Sequence, residues 1–140
     1  MPIDTSFESL DVRFIPRAQA WAEVLTAYVL PVRYPGHKMR VMETRRSPAR
    51  QAELEAAGAS RNKIGFHNYG LALDFGIFAP DGRYLKDDAT GIYTTCGIQA
   101  EVFGMEWGGR WKSLVDLGHI QFRPDGTNLD KLAEAAGLIA

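Results

Sequence analysis

A carboxylate stands in the middle of a strongly apolar run in this chain. Residues 70–78 read Gly-Leu-Ala-Leu-Asp-Phe-Gly-Ile-Phe, and their alternation makes this the clearest strand in the sequence. Successive side chains in a strand point to opposite faces. Leu71, Leu73, Phe75 and Ile77 therefore form one apolar face, and Ala72, Asp74, Gly76 and Phe78 the other. Aspartate is depleted in strands, and a carboxylate that loses its water needs a paired group or a cation. An arginine partner or a solvated sheet face would satisfy Asp74 alone. His67, seven residues earlier in Gly65-Phe-His-Asn-Tyr-Gly70, shifts the balance. The two glycines let the chain turn tightly about His67, so its ring and the Asp74 carboxylate converge on one point.

A second cluster, Asp116-Leu-Gly-His119-Ile-Gln, opens another strand candidate over residues 119–122. His67, Asp74 and His119 together supply two nitrogens and one oxygen. That is a common catalytic zinc set, with the fourth position left for water. Asp116, three residues before His119 and beyond the bend that Gly118 permits, is placed to be a general base. A core His119 hydrogen-bonded to Asp116 is the plainer reading of that cluster taken alone. The third histidine, His37, lies in a Pro/Gly loop and reads as surface. Cys96 reads as a small buried apolar residue, since no base has a claim on it.

The rest of the chain supplies a scaffold. Helices are expected over residues 16–30, 48–58, 93–103 and 127–137. On the first, Trp21, Val24, Leu25, Tyr28 and Val29 share a face. Ser47 and Pro48 open the second, and Thr127 caps the last. Residues 31–38 and the Trp107-Gly-Gly segment read as loops, and residues 39–43 as a short strand. A turn at 80–82 returns a hairpin through Arg83, Tyr84 and Leu85. Helices before and after a small antiparallel sheet make an α+β class. At 140 residues a single domain over 1–140 is expected. Seventeen acids against sixteen bases argue against binding driven by nucleic-acid or anionic-membrane charge. One cysteine excludes an internal disulfide and a Cys-based zinc site. The first residues have no secretory pattern and no run nears a membrane span, so cytoplasmic synthesis without a signal peptide is expected.

These motifs resemble those of the VanY-like zinc peptidases, the D-alanyl-D-alanine carboxypeptidases and phage L-alanyl-D-glutamate endopeptidases. That family's Ser-x-His-x-x-Gly-x-Ala-x-Asp is matched by His67, Gly70, Ala72 and Asp74, with Gly65 in place of the serine. Its Asp/Glu-x-x-His is matched by Asp116 and His119. Its Arg-Ser-x-x-x-Gln is matched by Arg46, Ser47 and Gln51, and its Trp-Gly-Gly-x-Trp by Trp107 and Trp111. The likeness runs over roughly residues 39–122. It implies a hedgehog/DD-peptidase-like fold and one zinc ion held by His67, Asp74 and His119, with Asp116 as base. It implies that Arg46 stabilises the carbonyl oxygen or grips a substrate carboxylate, with Arg45 facing solvent. Gln51 either buttresses the site or lies on a surface helix. Trp107 and Trp111 either line the cleft for substrate or plug the end of the sheet.

The expected activity is hydrolysis of peptidoglycan stem peptides by a monomer, without nucleic acid or membrane. An L-alanyl-D-glutamate endopeptidase acting as a phage or prophage endolysin is the first expectation, reaching the wall after release. A D-alanyl-D-alanine carboxypeptidase is the enzymatic alternative, and an inactive wall-binding module is the alternative of another class. Should Asp116 prove dispensable, Glu106 is the next candidate base.

Overall fold

The computed structural model describes residues 3–58 and 65–124. Five strands form one antiparallel sheet: β1 (Lys38–Glu43), β2 (Ala72–Phe78), β3 (Tyr84–Leu85), β4 (Glu106–Trp107) and β5 (His119–Gln121). Their order is β1-β2-β5-β4, with β3 paired to the far end of β2. Helices α1 (Ile15–Val24), α2 (Leu30–Arg33), α3 (Pro48–Ala56) and α4 (Ile92–Val102) accompany the sheet among the described residues, which is the expected α+β arrangement.

The strand register explains the site. Leu73 of β2 pairs with Ile120 of β5, and Ile120 with Trp107 of β4. This row faces the helices, where Phe14, Trp21, Tyr93 and Cys96 close the main core. The next row is Glu43, Asp74 and His119 across β1, β2 and β5, and it faces the cleft. A bulge between Val41 and Glu43 puts Glu43 in that row. Without the extra residue the pairing would slip by one and Glu43 would turn to the apolar face.

Several expectations need correction. The first helix runs past residue 30 to Arg33, through a π-helical turn at Leu25–Val29. The wide turn leads into Pro31, which cannot donate a backbone hydrogen bond. It also rotates the apolar face: Trp21 and Leu25 are fully buried, whereas Tyr28 is 68% exposed. Leu71 precedes β2 and packs with Phe66 and Ala72 in a separate small cluster, not on the Leu73 face. Trp107 lies in a strand, and the glycines after it form a 3-10 turn, Gly108–Arg110, rather than an open loop.

The remaining elements form for the reasons the sequence gives. The Ser47 side chain accepts from the Arg50 N–H at 3.0 Å, with Pro48 at the first helical position. Gly58 and Gly104 take left-handed backbone after α3 and α4. The helix expected over residues 127–137 lies outside the described residues. No described helix is long and apolar enough to cross a membrane.

Candidate active site

His67 sits on a 3-10 turn, Phe66–Tyr69, that ends in Gly70 at φ 69°. A side chain on Gly70 would press on the backbone N of Asp11 at 2.8 Å, so the turn requires glycine twice over. The turn is tied to the chain after β1. Arg46 N–H donates to the His67 carbonyl at 2.8 Å, and the Asn68 amide donates to the Arg46 carbonyl at 2.9 Å.

One ligand atom each from His67, Asp74 and His119 lie within 4.8 Å of one another. His67 Nε2 is 3.2 Å and His119 Nδ1 3.1 Å from the same oxygen, Asp74 Oδ1. The opposite ring nitrogens are engaged. His67 Nδ1–H donates to the Thr44 carbonyl at 2.7 Å, and His119 Nε2 faces Gln121 Oε1 at 2.8 Å. In neutral rings the outer nitrogens therefore carry the hydrogens, and the inner ones present lone pairs. Three acceptor atoms, two on buried histidines and one on the half-buried Asp74, then face each other with no donor between them, which is unfavourable unless a cation or a proton fills the centre. The donor set of two imidazoles and one carboxylate fits a divalent metal of the zinc type.

Burial alone would raise the Asp74 pKa, but in metal-free protein, with a ring hydrogen turned inward, the contacts of His119 and His67 outweigh it and hold the carboxyl well below the carboxylate range. Burial opposes charge on His119, yet the Asp74 carboxylate raises its pKa above the ordinary value. Without a metal, a proton on His119 takes the central place.

The second Asp74 oxygen, Oδ2, accepts from Arg46 Nη2 at 3.2 Å. Arg46 also donates to Glu43 Oε1 at 3.0 Å and to Gln51 Oε1 at 3.0 Å. Gln51 is buried at 2% exposure and so is no surface residue. Glu43 is clasped from its other oxygen by Arg50 at 3.1 Å. Arg45 is exposed and reaches the Ser9 carbonyl at 3.4 Å, away from the cluster.

Asp116 stands at the open side, with Oδ2 4.0 Å from His119 Nδ1 and half of its side chain exposed. Partial enclosure, then repulsion from Asp74, raises its pKa above the usual carboxylate value. A cleft of about 740 Å³ joins these groups, lined also by Gly65, Trp111, Leu114 and Arg123. Among the described residues nothing lies within 4 Å of where a Cβ on Gly65 would stand, so they leave room for a side chain there.

The two tryptophans separate. The Trp111 ring lies 4.9 Å from the His119 ring and lines the cleft. Trp107 does not. It is 4% exposed, donates from Nε1 to the Leu117 carbonyl at 2.8 Å, and packs so tightly on Gly97 that a Cβ there would collide with its ring. The strand register puts it on the core side, which corrects its expected substrate role. Glu106 is no free base either, since Arg123 and Gln121 both donate to it. His37 lies apart, its ring 6.1 Å from that of Tyr34. Burial pushes the Cys96 thiol up to about 12, which leaves it inert.

Sequence reasoning missed the supporting groups: Glu43, the Thr44 carbonyl, Asn68 and Gln121. The one available signal was Gln121, which must share a face with His119 in a strand.

Fold and cluster together define a small α+β scaffold that carries a two-histidine, one-carboxylate group able to hold a metal ion. Comparison with known proteins then narrows the class. Residues 58–122 match the D-alanyl-D-alanine carboxypeptidase family. The chain is 32% identical over 105 residues to the L-alanyl-D-glutamate peptidase of Listeria phage A118, covering 72% of this chain and 36% of that protein. It is 32% identical over 73 residues to the peptidoglycan L-alanyl-D-glutamate endopeptidase CwlK of Bacillus subtilis (strain 168), covering 47% of this chain and 44% of that one. This chain therefore spans less than half the length of both curated relatives. Among solved structures, Serratia marcescens L-Ala D-Glu endopeptidase ChiX aligns with a TM-score of 0.59 at 26% identity, over 84% of this chain and 83% of that one. The vancomycin resistance D,D-pentapeptidase VanY from a VanB-type cassette, in complex with Zn(II), shares the fold at TM-score 0.50 and 18% identity, over 92% of this chain and 80% of that one. These matches bear out the resemblance to the VanY-like zinc peptidases.

Proposed function

We propose that this chain is a zinc peptidase that hydrolyses peptidoglycan stem peptides, with His67, Asp74 and His119 as the zinc ligands. The observation that supports it most strongly is the inward convergence of three acceptor atoms within 4.8 Å of one another, with Asp116 at the open side. Zinc bound there would supply a Lewis acid for the scissile carbonyl and make water acidic enough to attack near neutral pH.

The chain's own groups do the rest. Thr44 and Gln121 hold the two rings with their lone pairs inward, and Arg46 holds Asp74 through Oδ2. Asp116 accepts the proton of the attacking water and returns it to the leaving amine. Arg46 brings a fixed positive charge beside the developing oxyanion, although its donors are already directed at Glu43, Gln51 and Asp74. Its first duty is thus to orient Asp74, with Gln51 steadying it. Trp111 offers an aromatic wall for the substrate.

L-alanyl-D-glutamate endopeptidase is the favoured specificity, since the phage A118 and CwlK relatives and the ChiX structure all carry that linkage in their names. The phage relative supports an endolysin role, and a monomer acting on the wall is part of the same proposal. A D-alanyl-D-alanine carboxypeptidase is the second reading, favoured by the family matched over residues 58–122. Digestion of a defined muropeptide followed by mass spectrometry separates them. Release of an intact stem peptide beginning at D-Glu supports the endopeptidase, and release of single D-Ala the carboxypeptidase. Absence of any product from zinc-loaded protein would leave only a binding module.

A further inference from the structure

We propose that Arg123, Glu106 and Gln121 form a polarity relay that fixes His119 as an Nδ1 metal ligand, with Gln121 as the positioning residue. The proposal rests on the zinc ligand set given above and concerns how that set is held. Gln121 is 7% exposed and His119 6%, so the contact between them is largely shielded from bulk water.

A glutamine amide presents an oxygen at one corner and an NH₂ at the other, and by shape alone it fits either way round. Glu106 removes that freedom. It lies opposite Gln121 in the β4–β5 register, and its carboxylate can only accept. Arg123 Nε donates to Glu106 Oε2 at 2.9 Å and keeps the carboxylate charged and aimed. Gln121 must therefore turn its NH₂ to Glu106 Oε1, 3.0 Å away, and its oxygen to His119 Nε2, 2.8 Å away. His119 must then carry its hydrogen on Nε2, which leaves the Nδ1 lone pair facing Asp74 Oδ1 at 3.1 Å. With the amide reversed, two oxygens would meet at Glu106. His119 would carry its hydrogen on Nδ1, pointed at the place where the metal must sit. Each link is charge-assisted or buried, so the order of hydrogens propagates from the exposed Arg123 to the metal-facing nitrogen.

The relay predicts that changing Gln121 alters zinc affinity and ring tautomer, not only turnover. The variants are Gln121→Leu, the exchange Glu106→Gln with Gln121→Glu, and His67→Ala as the ligand control. Zinc dissociation constants are read by competition with a chromogenic chelator. The tautomer of His119 is read from its ¹⁵N chemical shifts in metal-free protein at alkaline pH. Gln121→Leu should weaken zinc binding by about 10–100-fold, the usual effect of losing a hydrogen-bond partner of a ligand histidine. The exchange keeps an acceptor facing His119 and a donor between the two side chains, so it should bind zinc within a few-fold of wild type with hydrogen on Nε2. Should Gln121→Leu fail to fold, the exchange alone decides, because a folded exchange protein without zinc affinity contradicts the relay. Wild-type affinity in Gln121→Leu, beside lost affinity in His67→Ala, would overturn the relay and leave the ligand set standing. Wild-type affinity in His67→Ala would overturn the ligand set and the relay with it.

Discussion

Replacing Trp107 by alanine removes a ring that is 4% exposed and opens a hole between Gly97, Gly109 and the Ile120 row. It also strands the Leu117 carbonyl that accepts from the indole at 2.8 Å. A fully buried tryptophan cut to alanine costs about 3–5 kcal/mol. At about 2.1 cal/mol/K per residue, a chain of 140 residues unfolds with an entropy of about 0.3 kcal/mol/K. The melting temperature should therefore fall by about 10–17 °C. Trp111→Ala is the matched control, since that ring lines the cleft instead of the core. It should lower the melting temperature by only a few degrees and raise KM for a stem peptide. Differential scanning calorimetry on metal-stripped protein, with kinetics on the loaded form, reads both. A Trp107→Ala protein that melts within about 3 °C of wild type but binds substrate poorly would refute the core assignment.

Three further outcomes follow from the geometry. Asp116→Asn should fold, keep its zinc and lose about 10²–10⁴-fold in turnover, by the scale of a positioned acid–base group; metal analysis beside kinetics checks it, and lost zinc would make Asp116 a ligand. Arg46→Ala releases Asp74 Oδ2 and leaves the buried Glu43 to Arg50 alone, so zinc affinity and turnover should both fall by about tenfold or more, measured by chelator competition and kinetics. In metal-free protein His119 is raised above 6.5, so its stabilisation is present below that pH and fades as pH rises through its folded value. Asp74 is lowered, so its stabilisation is present above 3.8 and is lost as pH falls through its folded value. Melting curves of stripped and zinc-loaded protein should accordingly diverge as pH rises through the folded value of His119, because zinc needs the neutral ring.

The parts of the site carried by one strand or one turn were legible in the sequence. Alternation along β2 put Asp74 opposite the Leu73 and Ile77 face, and glycines marked the turn at His67. Ser47 and Pro48 marked the start of α3, and Gly104 the end of α4. What spans strands was not legible. Whether Trp107 faced core or cleft depended on its register with Ile120, which no local pattern encodes. Glu43 reaches the cleft only through a bulge whose extra residue leaves no mark on composition. The π-helical turn before Pro31 broke the 3.6-residue period that Tyr28 was expected to follow. Gln121 had no motif, because its role comes from two partners, Glu106 and His119, that reach it from a different strand and from two residues away.

Anomalous X-ray diffraction at the zinc edge, from crystals of protein purified without added metal or loaded with one equivalent, tests the proposed centre most directly. One anomalous peak should lie between His67 Nε2, Asp74 and His119 Nδ1, about 2.0–2.2 Å from each ligand atom, with Asp116 outside bonding distance. A peak bound through His119 Nε2, a peak that takes Asp116 as a fourth protein ligand, or no peak in zinc-loaded crystals would contradict it.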